Sequence, residues 1–484
     1  MIGLLQTRRV FVAVLGLGLF TMAARAMADP DAWWHLRTGQ LILQSHGVFH
    51  SDPFSFTRFG QPWVNHEWLS DVLLFSIYRV AGMGGLIVAF AAVIAAAYLL
   101  VFARCAGRPY LAALMTLWGA VASASTWGVR PQMISLLLAA VFLLLLEGSE
   151  QRPSLLWWTA PLMLLWVNLH GGYPIGLVSV GLFLAGEVLE AGIREKPWQH
   201  SLPRLKALAM AFLLCLALVG LNPYGWQIYL YPFETLHSVA MQRFIQEWFS
   251  PNFHDPASLP FLFMLLALIA GLALSPRRPR LRTLLLLLVT IPAGLRAVRH
   301  VPILALVLVP VLADLGEAWL QQGGATRLLK KPLAVQTSRT LAINFLVLIS
   351  FAVFTVIRVR HVVSHQAETE ARNFPAAAVA FMEHEHPPAP IMNHYNWGGY
   401  LIWKLYPQYQ VFLDGRADVY GDDFMTDFGS CYYLTGNWKK TLEHWSIRTV
   451  LLPPDAPLIT ALRSSPEWQQ VFSDSQAVIL IKRF

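Results

Sequence analysis

About eleven apolar runs, each roughly 17–22 residues long, fill most of residues 1–358, more lipid-like length than one soluble core can hide. They fall near 8–27, 84–103, 109–126, 132–147, 154–169, 173–191, 204–221, 259–274, 281–297, 301–317 and 340–358. A bilayer leaves no water to satisfy backbone N–H and C=O groups, so runs of this length must be helices. Composition agrees: 56% of residues are hydrophobic, 13% are charged, and mean hydropathy is +0.50. The expected fold class is a polytopic α-helical membrane protein. Residues 1–358 form the transmembrane domain and 359–484 a C-terminal extracytoplasmic α/β domain.

Charge sets the expected orientation. Arg8-Arg9, Arg104/Arg108, Arg152, Arg194/Lys196/Arg204/Lys206, Arg277-Arg278/Arg280/Arg282 and Arg327/Lys330-Lys331 all fall on one side when 66–80 is read as an amphipathic helix on the outer surface. Read as a span, 66–80 would put the Arg104/Arg108 loop on the other side. The N-terminus is therefore expected in the cytoplasm of a bacterial inner membrane. Arg8-Arg9, the apolar stretch from Val10 to Met22 and Ala26-Met27-Ala28 also fit a cleaved signal peptide. A retained first span is preferred, because it holds the acidic loop that follows at the membrane surface. The net charge of +8 lies in short loops, with no basic stripe interleaved with aromatics on a soluble segment, so nucleic-acid binding is not expected. Cys105, Cys215 and Cys431 have neither disulfide nor zinc spacing and read as small hydrophobes.

The other side collects the polar motifs. The first outer loop, 28–83, opens with Asp29-Pro30-Asp31-Ala32-Trp33-Trp34-His35-Leu36-Arg37 and later carries Asn65-His66-Glu67-Trp68. Carboxylates, imidazoles and an amide at a membrane edge suit a divalent metal or general-base chemistry. Asp is also a favoured N-cap, and that reading is preferred for Asp29. His66 and Glu67 fit acceptor contact or capping of the surface helix equally well. The long outer loop, 222–258, places Glu247 between apolar and aromatic neighbours. Arg296, Arg299, His300 and Arg130 sit at outer helix ends, where guanidinium groups pair with phosphate or snorkel to lipid headgroups. His170, in Asn168-Leu169-His170-Gly171-Gly172, reads as structural.

In the tail, helices are expected near 374–384, 397–405, 421–430, 437–443 and 457–464. Strands are expected at Pro390–Met392, Val411–Leu413, Thr449–Leu452, Gln470–Phe472 and Ala477–Ile481. His394-Tyr395-Asn396-Trp397-Gly398-Gly399-Tyr400 reads as strand–turn–helix, and Asp414-Gly415-Arg416 ends a buried strand. Trp397, Asp414 and Arg416 are candidate acceptor contacts, with turn chemistry and an internal Asp–Arg pair as the alternative. A Gly-rich phosphate loop, a serine nucleophile elbow and His-Glu-x-x-His are all missing from the sequence.

With these residues in view, the chain resembles the GT-C membrane glycosyltransferases. The oligosaccharyltransferase catalytic subunits carry, in their first loop, Asp, a variable residue, two aromatics, Asn, an aromatic and Arg. Asp31-Ala32-Trp33-Trp34-His35-Leu36-Arg37 is similar at the Asp, the aromatics and the Arg, with His35 in place of Asn. Asn396-Trp397-Gly398-Gly399-Tyr400 is similar in setting to that family's Trp-Trp-Asp-Tyr-Gly motif but lacks the Asp. The chain also resembles a group of bacterial polytopic proteins that share Asp-x-Trp-Trp-His-Leu, Asn-His-Glu-Trp and Asp-Gly-Arg-Ala-Asp. It departs from the oligosaccharyltransferases in having no acidic pair at 127–131.

The resemblance implies transfer of a sugar from a polyprenyl-phosphate donor to an extracytoplasmic glycan, lipid or protein. Asp31, Glu247 and His35 would be catalytic, Asp31 and Glu247 could hold Mg²⁺ or Mn²⁺, and Arg296, Arg299, His300 and Arg130 would bind donor phosphate. His66, Glu67, Trp397, Asp414 and Arg416 would meet the acceptor. A transporter or lipid flippase, or an assembly scaffold, are the alternatives; a transporter would need charges at mid-membrane depth, which the spans nearly lack.

Overall fold

The computed structural model describes residues 5–105, 107–193, 198–322 and 337–483. Arg194, Lys196, Arg327, Lys330 and Lys331 lie outside the described residues. Two compact units emerge, and the division is not the expected one at 358/359. One unit is Met1–Arg25, Ile87–Asn222 and Glu247–Val363; the other is Ala26–Leu86, Pro223–Gln246 and Ser364–Phe484. Both the first outer loop and most of the long outer loop group with the tail.

The first unit is all helix. Each apolar run forms a helix, and six described helices are long and apolar enough to cross a membrane: Trp68–Arg104, Pro174–Ile193, Ser201–Val219, Pro256–Leu274, Val298–Gln322 and Ser338–Ser364. Thr7–Ala23, Pro109–Ser123, Gln132–Gly148, Thr159–Leu169 and Leu281–Arg296 are shorter, at 11 to 17 residues. Val301–Gln322 is the hub and is buried along most of its length. It packs on Pro109–Ser123, Leu259–Leu274 and Leu281–Arg296, and burying its Leu and Val side chains drives that packing.

Several arginines of the loops expected on one side form ion pairs within this unit. Arg104 pairs bidentately with Glu147, Arg108 with Glu317 and Arg277 with Asp314. Glu150 gathers Arg204, Arg280 and Arg282. The segment expected as a surface helix, 66–80, is the first part of Trp68–Arg104. The helix breaks at Gly82, whose φ of 61° suits a residue without a side chain. The break separates the polar start, with Asp71 and Arg79, from the apolar span.

The second unit joins the outer loops to an α/β domain. Its four strands are β1 (Ile391–Asn393), β2 (Thr449–Leu452), β3 (Trp468–Ser473) and β4 (Val478–Lys482). Their order is β1-β2-β4-β3; β1 and β2 are parallel and the other pairs antiparallel, so the sheet is mixed. Helices form at Ala376–Glu385, Gly398–Leu405, Ala417–Tyr432, Trp438–His444 and Pro457–Arg463, as expected.

The expected strand at Val411–Leu413 does not join this sheet. Its backbone pairs instead with the first outer loop: Val411 N–H donates to Phe54 O and Phe56 N–H to Val411 O, both at 3.1 Å. Its edge is taken by the Asn393 side chain, which accepts from Phe412 N–H at 2.8 Å. An extended apolar run specifies a strand but not its partner. Behind it, Phe412, Phe424, Phe428, Val450, Leu458 and Leu480 form the core.

Candidate functional site

Asp31 starts the helix Asp31–Ser45, and its own N–H is capped by the Asp29 carboxylate at 2.9 Å. Asp29 thus has the capping role, which leaves the half-buried Asp31 side chain for other partners. Trp34 donates its indole N–H to Asp31 Oδ1 at 3.2 Å. On the other flank lies Gly415, and a Cβ there would collide with the Asp31 carboxylate. The acid therefore sits against the Asp414-Gly415-Arg416 turn.

That turn is braced from inside. Arg416 donates Nε and Nη2 to the two oxygens of Asp414 at 2.8 and 2.7 Å, and Nη2 also meets Asp52 at 2.8 Å. Tyr420 donates to Asp414 at 2.7 Å, and the Arg416 guanidinium lies over Trp63 and Phe54. Burial works against the charge on Asp52, but Arg416, the Ser55 hydroxyl and the Phe54 N–H outweigh it and hold its pKa below the usual range. Asp414 and Arg416 are fully enclosed, at 0% and 2% exposure. They shape the loop beside Asp31 and present no open surface to an acceptor. Trp397 is also buried, beside His394, whose pKa burial pushes down to about 4. Arg37 donates to the carbonyls of Trp403 and Tyr406 at 2.7 and 3.1 Å, tying the first loop to the end of Gly398–Leu405.

His35, His66 and Glu67 belong to one buried chain of side chains. His66 Nε2 meets Glu67 Oε1 at 3.2 Å, and Glu67 Oε2 meets His35 Nε2 at 3.2 Å. His35 Nδ1 meets Asp71 at 2.5 Å, and Asn65 donates to the other Asp71 oxygen at 2.7 Å. Both nitrogens of His35 face carboxylates, the geometry of an imidazolium. Burial opposes that charge, yet the hydrogen bond and charge of Asp71, with Glu67 and Asp31, raise the His35 pKa above its ordinary value. His66 is raised as well: burial opposes its charge, and Glu67 outweighs burial. The Trp34 ring lies 3.6 Å from the His35 ring, and His66 stacks on Tyr231 at 4.0 Å. His35 therefore supports the residue that fixes Asp31.

A second cluster lies within the helical unit. Glu247, on the short turn Gln246–Trp248, pairs with Arg130. Arg299 lies over the Trp248 ring at 4.7 Å, and the backbone of 298 bonds to Phe249 O at 3.0 Å. Burial opposes the Glu247 charge, while Arg130, then Arg299 and His170, pull its pKa below the usual value. Two arginines and a histidine thus act on one acid.

His170, read from sequence as structural, belongs to this cluster. Ser135 lies 2.7 Å from its Nδ1, which also accepts the Gly172 N–H at 2.8 Å; that arrangement assigns the proton to Nε2. His300 Nδ1 donates to Ala293 O at 3.2 Å, and Arg296 is exposed at the end of Leu281–Arg296.

Asp31 and Glu247 belong to different units. Among the described residues no group of three or more His, Cys, Asp or Glu side chains is disposed to hold a metal ion. Glu247 spends an oxygen on Arg130, and Asp31 accepts from Trp34.

Neither a family profile nor a curated protein sequence matches the chain. Solved structures do. ArnT from Cupriavidus metallidurans, bound to undecaprenyl phosphate, aligns with a TM-score of 0.51 at 14% identity, covering 97% of each chain. The chain has the GT-C fold. The oligosaccharyltransferase AglB of Archaeoglobus fulgidus, in complex with an inhibitory peptide and a dolichol-phosphate, aligns with a TM-score of 0.55 at 11% identity. That alignment covers 91% of this chain and 69% of AglB. A multi-pass membrane protein with the GT-C fold and a small C-terminal sheet is what the sequence led one to expect.

Proposed function

We propose that this protein is a GT-C glycosyltransferase that moves a sugar from a polyprenyl-phosphate donor to an acceptor outside the cytoplasm. The observation that carries the reading is the gathering of Arg130 and Arg299 at Glu247. Arg130, Arg299 and His170 act on the Glu247 carboxylate in a protein whose fold neighbours hold undecaprenyl phosphate and dolichol-phosphate. Guanidinium groups there suit a phosphate bidentately and offset the charge that grows on it as the glycosidic bond breaks. Glu247 acts as a positioning residue that keeps Arg130 aligned.

Asp31 serves as general base. The acceptor oxygen attacks the anomeric carbon, its proton passes to the Asp31 carboxylate, and the bond to the donor phosphate breaks to release polyprenyl phosphate. Trp34 and Gly415 hold Asp31 in one orientation, and the His35–Asp71–Glu67 network holds Trp34. In this reading arginine supplies the positive charge that a divalent ion would otherwise provide. In this reading the basic loops face the cytoplasm of a bacterial inner membrane, which the positive-inside rule supports.

The test is transfer from a labelled lipid-linked sugar in membranes that contain the protein or its Asp31→Asn variant. A loss on the order of 10²–10⁴-fold is expected for removal of a general base. Wild-type rates in the variant would sink the assignment.

A further inference from the structure

Away from both clusters, an apolar cavity of about 380 Å³ lies between the helices Thr7–Ala23 and Ser338–Ser364. Thr21, Met22, Phe351 and Phe354 line it, and Arg25 and Arg358 complete the lining. The two helices are tied at both ends by polar contacts. Thr21 and Thr355 hydroxyls meet at 2.8 Å, and Asn344 donates to Leu5 O at 2.8 Å and Thr7 Oγ1 at 3.0 Å.

Apart from Asn344, Thr355 and Val362, no described residue of Ser338–Ser364 is buried, so its apolar side faces the bilayer. Arg25 donates to the carbonyls of Met22 and Ala124 and lies over Trp127. Arg358 is close enough to act on it electrostatically. Among the described residues neither arginine has a carboxylate partner. Two like charges beside an apolar groove are stabilised by an anion that carries apolar chains.

We infer that this groove binds an anionic phospholipid of the surrounding bilayer, its acyl chain against Phe351 and Phe354 and its phosphodiester between Arg25 and Arg358. A bilayer lipid rather than the sugar donor is favoured because Ser338–Ser364, which lines the groove, leaves nearly all its described residues unburied. Arginine's planar fork matches a phosphate, and its weak hydration suits a site at the edge of hydrocarbon.

The test reconstitutes the full chain in nanodiscs of phosphatidylcholine with a minor share of phosphatidylglycerol. Lipid retained after mild detergent extraction is then counted by native mass spectrometry. Wild type should keep one phosphatidylglycerol, enriched over phosphatidylcholine on the order of 30-fold, the equivalent of about 1 kcal/mol for each arginine. Arg25→Gln with Arg358→Gln should return the retained lipid to the bulk ratio, and the double Lys variant should keep part of the enrichment. Among the described residues Arg358 donates no hydrogen bond, so Arg358→Gln alone serves if the double variant does not fold.

Retention at the bulk ratio in wild type, or enrichment that survives the Gln substitutions, overturns the inference. So does one-for-one displacement of phosphatidylglycerol by undecaprenyl phosphate, which would give the groove to the donor. The inference does not depend on Asp31 or Glu247, so its failure would leave the proposed chemistry untouched.

Discussion

Gly415→Ala separates the placement of Asp31 from its presence. The added methyl overlaps the Asp31 carboxylate, whose Oδ1 also accepts the Trp34 N–H at 3.2 Å. The carboxylate is the end of a short side chain and only half-buried, so it can swing away without moving backbone. The Trp34 bond to this charged acceptor is worth about 1.5–3 kcal/mol before water compensates the exposed oxygen. The net cost in stability should therefore stay below about 2 kcal/mol.

Activity should suffer far more. A reacting group displaced by about 1 Å loses on the order of 100-fold in rate. The assay is kcat and KM for transfer from a labelled lipid-linked sugar, beside a thermal melt of the purified protein. A fall in kcat with nearly unchanged Tm and donor KM is expected. Trp34→Phe, which keeps the ring and removes the N–H, should fall between wild type and Gly415→Ala. Wild-type kcat in Gly415→Ala, with the carboxylate displaced, would refute the reasoning that orientation of Asp31 matters.

Further outcomes follow from the two clusters. His35→Ala leaves Asp71 and Glu67 facing a gap, and loss of one partner from a buried ion pair costs about 3–5 kcal/mol; denaturation of the purified protein measures it. The folded pKa of His35 is raised, so its contribution to stability is complete below about pH 6.5 and is lost as pH rises through the folded value. A pH series of melts should show that alkaline decline in wild type, and His35→Asn should flatten it. Arg299→Gln should raise the donor KM by about 10- to 100-fold, the worth of one charge-assisted contact to phosphate, with thermal stability little changed. Treatment with EDTA should leave transfer intact, as measured by initial rate before and after chelation; a rate restored only by Mg²⁺ or Mn²⁺ would contradict a metal-free donor site.

Much of the fold was legible because a bilayer enforces simple rules. Apolar runs had to be helices, and the grouping of arginines foretold which loops meet, as Glu150 with Arg204, Arg280 and Arg282 shows. The polar start of 66–80 marked it off from the span that follows, and Gly82 supplies the break. Among the described residues six of the eleven runs form helices of spanning length, and at Pro153–Trp158 a short 3₁₀ turn takes up the start of another run.

Partners distant in sequence were less legible. His35 and Asp71 lie 36 residues apart, and no spacing rule predicts that they share a proton. Val411–Leu413 looked like a sheet strand because extended apolar residues look alike whichever edge receives them. His170 gave a weak signal, a lone His before two glycines. Its place beside Glu247 depends on packing among helices rather than on local pattern.

The most direct test of the central claim is release of free polyprenyl phosphate when purified protein is incubated with polyprenyl-phosphate sugars and an extract of envelope acceptors. The account predicts release in step with label reaching the acceptor, both abolished by Asp31→Asn and weakened by Arg299→Gln. Intact donors across a broad panel of sugars, or release unaffected by either substitution, would contradict it.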